Sequence, residues 1–136
     1  MTSPASRPEA WFEKAEHDLQ AVDHLMTAPV ILWDVIAYHA QQGAEKYLKG
    51  YLVWRGEPAP RIHDLVVLLT SCGVHDESLL GLSQDCERLS RLGWISRYPD
   101  GPDEPDEQEA RSGVEIAHMI RSAIRQRTAG RPPARP

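Results

Sequence analysis

Long apolar runs are missing from this chain. None approaches the roughly 18–20 residues that a bilayer crossing needs, so no membrane-spanning helix is expected. Met1 to Glu9 lacks a basic segment followed by an apolar core, which argues against a secretory signal and for a cytosolic protein. Cysteine is scarce too. Cys72 and Cys86 have no second Cys or His pair at ligand spacing, so neither a disulfide framework nor a zinc site is expected. Both read as packing or surface thiols. A phosphate-cradling glycine loop, a nucleophile elbow and a metal-ligand cluster are all absent, so no cofactor and no metal are expected. The loop acids Asp103, Glu104 and Asp106 read as solvated rather than as a cation site. Strand signals are nearly absent, because alternating runs are missing and β-branched residues are sparse outside Val66-Val67.

A positive balance is missing as well. The net charge of −5 argues against binding nucleic acid through bulk charge alone. That charge is unevenly spread. Asp100 to Glu109 carries six acids and no base, and Arg121 to Pro136 carries five arginines and no acid, which leaves the remainder at about −4. The arginine-rich end could touch phosphate, but residues 129–136 read as a disordered, solubilising tail. Residues 1–128 fit one domain, large enough to bury roughly two thirds of its unfolded surface.

What is there is helical periodicity, and it predicts an all-α antiparallel bundle of four to five helices. A first helix is expected over Pro8–Met26, capped by Ser6, with Trp11, Ala15, Leu19, Val22 and Met26 on one face. A second, the longest, is expected over Ile31–Trp54. Ile36, Ala40, Gly43, Tyr47, Tyr51 and Trp54 fall within an arc of about 80°, while Leu48 and Leu52 lie off it. A helix with two apolar surfaces is central in its bundle or also faces a second subunit. Gly43 and Gly50 cost about 1 kcal/mol each relative to Ala, which is easier to explain if another backbone approaches there. A short third helix is expected over His63–Ser71, ended by Gly73. A fourth is expected over Glu77–Leu92, capped by Asp76, and a last over Asp106–Gln126 with acids first and arginines last, as the helix dipole favours. Residues 97–105 carry three prolines and a glycine and form a loop.

On the second helix His39, Gln42, Lys46 and Lys49 share a stripe about 80° wide beside the apolar arc. An imidazole, an amide and two ammonium groups so placed suit an anion or a nucleotide phosphate. The plain alternative is a solvated face with a Glu45–Lys49 i,i+4 pair.

The segment Tyr38-His39-Ala40-Gln41-Gln42-Gly43-Ala44-Glu45-Lys46-Tyr47-Leu48-Lys49-Gly50 resembles the signature of the HEPN (higher eukaryotes and prokaryotes nucleotide-binding) domain family. Three further pieces stand in that family's order: Ala15-Glu16-His17-Asp18-Leu19, His63-Asp64-Leu65, and Arg97-Tyr98-Pro99-Asp100. The resemblance spans about Ala10 to Ile124. It implies a helical bundle, usually a homodimer, with a nucleotide- or RNA-related role and often a minimal nucleotidyltransferase partner in a toxin–antitoxin-like system. The positions it marks are His39, Gln42 and Lys46, then His63 and Asp64, then Arg97, Tyr98 and Asp100. Arg97 suits phosphate or Asp100, and Tyr98 suits a base or packing on Trp94. Against these stand a capping turn locked by Pro99 and a capping role for His63.

Many members of that family are metal-independent ribonucleases using an Arg, four to six residues, then a His. No His stands at that distance after Arg97. Arg111 and His118 do fit the spacing, two helical turns apart, with the Arg stabilising phosphorane charge and the His moving the proton of the ribose 2′-hydroxyl. Three functions therefore stay open: a dimeric nucleotide- or RNA-associated module with a nucleotidyltransferase partner, an endoribonuclease toxin, and a non-catalytic dimerisation scaffold.

Overall fold

The computed structural model describes residues 3–95, 99 and 104–133, and all regular structure among them is helical. Five α-helices follow in order: α1 (Pro8–Met26), α2 (Trp33–Trp54), α3 (Leu65–His75), α4 (Ser83–Ile95) and α5 (Glu107–Arg127), with short 3₁₀ turns at Pro4–Ser6 and Glu77–Leu82. Among the described residues no helix is long and apolar enough to cross a membrane.

Local chemistry explains most boundaries. Pro8 opens α1, where its missing N–H goes unused. Ser6 does not cap that helix as expected: its hydroxyl donates to the Ser3 carbonyl at 2.7 Å, and Arg7 occupies the cap position with no side-chain bond. Asp64, not His63, caps α3, its Oδ1 accepting from the Val66 and Val67 amides at 2.9 and 3.3 Å. Gly73 does not end α3, which continues to His75. Instead Gly73 leaves room for Leu80, whose Cδ2 would stand 2.4 Å from a Cβ added there. The expected fourth helix is split for the same reason. The 3₁₀ turn over Glu77–Leu82, capped by Asp76, buries Leu79 while folding Leu80 onto Gly73, and α4 begins only at Ser83. Asp106 and Glu109 close a reciprocal capping box on α5.

α2 is the central element and touches each of the other four helices. Its two apolar surfaces are thus accounted for within the chain. Tyr47, Leu48, Tyr51 and Leu52 are all buried, among Leu68, Leu69, Leu89, Ile120 and Ile124. α1 runs antiparallel to it, since Phe12 stacks on Tyr47 at 5.6 Å while Asp18 reaches back to His39. α5 runs in the same direction as α2, with Arg111 beside Trp33 at one end and Arg121 joined through Glu16 to Tyr47 further along. The glycines of α2 mark where α1 presses closest. A Cβ on Gly50 would stand 2.4 Å from Phe12 Cε1, and one on Gly43 would stand 3.0 Å from Leu19 Cδ2. On the opposite flank Gly93 lets α4 approach α2, for a Cβ there would stand 2.5 Å from Gln41 Cγ. Cys72 and Cys86 are free and buried, and that burial pushes both thiols up to about 12.

Candidate functional site

The polar side chains of α2 do not form one stripe. Packing divides them among three carboxylates. Asp18 of α1 accepts from His39 Nδ1 at 2.9 Å and from Lys46 Nζ at 2.5 Å. Glu16, two residues earlier on α1, takes the Tyr47 hydroxyl and a bidentate Arg121 at 2.8 and 2.9 Å. Burial alone would raise the Glu16 carboxyl, but hydrogen bonds from Arg121 and Tyr47 outweigh it and hold the group below its usual value. Burial, reinforced by that carboxylate, pushes the Tyr47 phenol up to about 12.

The third carboxylate, Glu45, sits on α2 itself and organises a different face. Its Oε2 accepts from Lys49 Nζ and from His63 Nδ1, each at 3.0 Å, and its Oε1 accepts from Gln41 Nε2 at 3.2 Å. Gln41 also donates to the His63 carbonyl at 3.3 Å, and its own oxygen accepts from Gln42 at 2.8 Å. The Glu45–Lys49 pair foreseen on a solvated face therefore exists, but it is not solvated: the side chains are 5% and 6% exposed, and the ammonium lies 5.8 Å from the Trp11 ring centroid.

Above this network a pocket of about 490 Å³ opens between α2, the α3 N-terminus and α4, lined by Gln41, His63, Asp64, Glu87, Ser90 and Arg91 among others. His63 is its most distinctive group. One ring nitrogen is fixed on buried Glu45, yet the side chain is 68% exposed, and Nε2 has no protein partner among the described residues. Arg91 is exposed and likewise makes no ion pair there. Asp64 is committed to capping α3, and Ser90 Oγ accepts from the Leu65 amide at 3.3 Å. The arrangement offers one edge of an imidazole and a guanidinium to one bound molecule.

Of the residues singled out from sequence, His63 and Asp64 line this pocket, and Lys49 reaches it only through Glu45. His39 and Lys46 belong to the Asp18 cluster, and Gln42 bonds Gln41. Arg97, Tyr98 and Asp100 lie outside the described residues. Arg111 and His118 are both exposed on α5. Arg111 donates to Glu107 at 3.0 Å with its guanidinium 5.1 Å from the Trp33 ring, and the surface hollow that it lines with Glu107, Gln108, Ser112 and Glu115 does not include His118. Gln41, Glu87, Ser90 and Arg91 escaped the sequence reading. Their one signal was the cation on the polar side of an amphipathic helix. Among the described residues no group of three or more His, Cys, Asp or Glu is placed to hold a metal.

The HEPN domain family model matches residues 8–127. No curated protein and no solved structure matches the chain.

Proposed function

We propose, from the premise that this chain belongs to the HEPN domain family, that it is a nucleotide- or RNA-associated module whose ligand enters the α2–α3–α4 pocket. The observation that carries this reading is His63, tied by one nitrogen to a buried carboxylate and, among the described residues, open on the other, in the same pocket as the exposed Arg91. Arg91 supplies the charge for phosphate, since a guanidinium forms paired bonds to it in water-accessible sites. His63 supplies a hydrogen bond that fixes orientation, and a volume near 490 Å³ is within the range of small-molecule sites. Arg97 and Tyr98 follow Gly93 of the pocket wall closely in the chain, and the same reading gives them phosphate and base contacts. The module works as a homodimer beside a minimal nucleotidyltransferase partner, in keeping with its family.

Thermal unfolding tests the binding. A ligand at a hundred times its Kd stabilises a fold by about 2.7 kcal/mol, which for a chain of this length raises Tm by roughly 8 °C. Millimolar ATP should produce such a rise in the wild type and a smaller one in Arg91→Ala. An unchanged Tm with every nucleoside triphosphate and with short RNA overturns the proposal.

A further inference from the structure

On the nucleotide reading above, the geometry around His63 bears on which kind of nucleotide the pocket takes. His63 Nδ1 lies 3.0 Å from Glu45 Oε2. An ionised carboxylate only accepts, so Nδ1 is the donor in that bond. In the neutral ring the proton is then fixed on Nδ1, and Nε2 carries a lone pair alone. The orientation is well enforced. Glu45 cannot turn away, because Lys49 and Gln41 hold its oxygens at 3.0 and 3.2 Å, and it is nearly without solvent. Glu45 is thus a positioning residue, and what it positions is an acceptor.

An acceptor edge has no use for a phosphate oxygen, which is itself an acceptor. It selects a hydroxyl or amine donor. In a pocket of about 490 Å³ that also contains Arg91, the donor closest to an arginine-held phosphate is the hydroxyl of the adjoining sugar. We infer that His63 and Glu45 form a ribose-recognition pair: Nε2 accepts from the 2′-hydroxyl, and the site takes ribonucleotides in preference to 2′-deoxyribonucleotides. A base amine or the 3′-hydroxyl could meet the same edge, but ATP and 2′-deoxy-ATP share both, so sugar discrimination isolates the proposed contact. Failure to reproduce a hydrogen bond that a site is built for is a strong source of selectivity, because the acceptor is left unpaired.

Calorimetric titration at pH 8 tests this in two arms: ATP against 2′-deoxy-ATP, and a uridylate hexamer against its deoxyuridylate counterpart. Wild type should favour the ribo form about tenfold in the arm that binds, and that arm identifies mononucleotide or RNA as the source. His63→Ala, on a largely exposed side chain, should remain folded and bind both sugars equally. Glu45→Gln should shrink the ratio even where overall affinity is kept, a readout that loss of packing alone would not move. Equal affinities in the wild type, or discrimination that persists in His63→Ala, overturn the ribose contact and leave the nucleotide reading standing. No binding in either arm, nor with the other nucleoside triphosphates, removes both.

Discussion

Lys49→Met is the most demanding test of the architecture, because it breaks the ion pair beneath the pocket while keeping most of its volume. Lys49 and Glu45 are 6% and 5% exposed, so neither is well hydrated. Removing the ammonium leaves a buried carboxylate facing a neutral amide and one imidazole edge, and such an uncompensated charge costs about 3–5 kcal/mol. Methionine keeps the contact with Trp11 but not the attraction of an ammonium for the ring. At roughly 3 °C per kcal/mol for a domain of this length, Tm should fall by about 10–15 °C. The companion is Glu45→Met with Lys49→Met. It removes both charges, and Gln41 still has the His63 carbonyl at 3.3 Å. The double variant should therefore lose clearly less than the two single losses combined, with a coupling of about 2–4 kcal/mol in urea unfolding. A Lys49→Met loss under about 1 kcal/mol, the size seen for exposed helix pairs, would refute the reasoning, because it would mean that water reaches Glu45.

Gly93→Ala should destabilise by about 1–3 kcal/mol in urea unfolding, since the added Cβ would meet Gln41 Cγ and Cβ at 2.5 and 2.6 Å, atoms too near the α2 backbone to swing aside. The helix-propensity gain of about 1 kcal/mol is too small to reverse that sign, so a stabilised variant would disprove the close α2–α4 approach. Tyr47 should shape the alkaline limb. Its folded-state value lies above the unfolded one near 10, so its contribution is complete below pH 10 and is lost as pH rises toward about 12. Tyr47→Phe should flatten the fall in stability across that window, and an unaltered slope would show that the phenol does not titrate as its burial demands.

How far the sequence could be read depended on the range of the interactions. α1 was legible end to end because its signals are local: Pro8 opens it and the Thr27-Ala28-Pro29 run closes it. The same holds for α5, whose Asp106 and Glu109 lie three apart. α3 ran longer than its glycine suggested, since Gly73 serves a contact with Leu80 rather than a helix end, and that contact exists only once the following turn has folded back. The pocket was harder still. A helical wheel groups His39, Gln42, Lys46 and Lys49 by angle alone, and it cannot contain the partner helix that brings Asp18 to two of them. Gln41 offered no angular reason for notice, yet it joins Gln42, Glu45 and the His63 carbonyl across a gap of more than twenty residues in sequence.

Net charge misleads for the same reason. A chain of −5 would be expected to repel phosphate, yet its acids are not spread evenly over its surface. Asp18, Glu45 and Glu16 face inward between helices, each neutralised by a cation whose charge is thereby also withdrawn. Asp76 is similarly engaged with Arg127, and Asp64 with the α3 amides. Arg61, Arg88 and Arg91, by contrast, are exposed and have no ion-pair partner among the described residues. Arg91 lines the His63 pocket and, together with Arg88, the neighbouring hollow against α5. Screening confines each exposed charge to about 8–10 Å at physiological salt, so a phosphate approaching the pocket meets Arg91 and the exposed Glu87 of the same lining rather than the total. The pairing of acids within the bundle is therefore what lets an acidic protein present Arg88 and Arg91 on one exposed edge of α4, where neither has an ion-pair partner among the described residues.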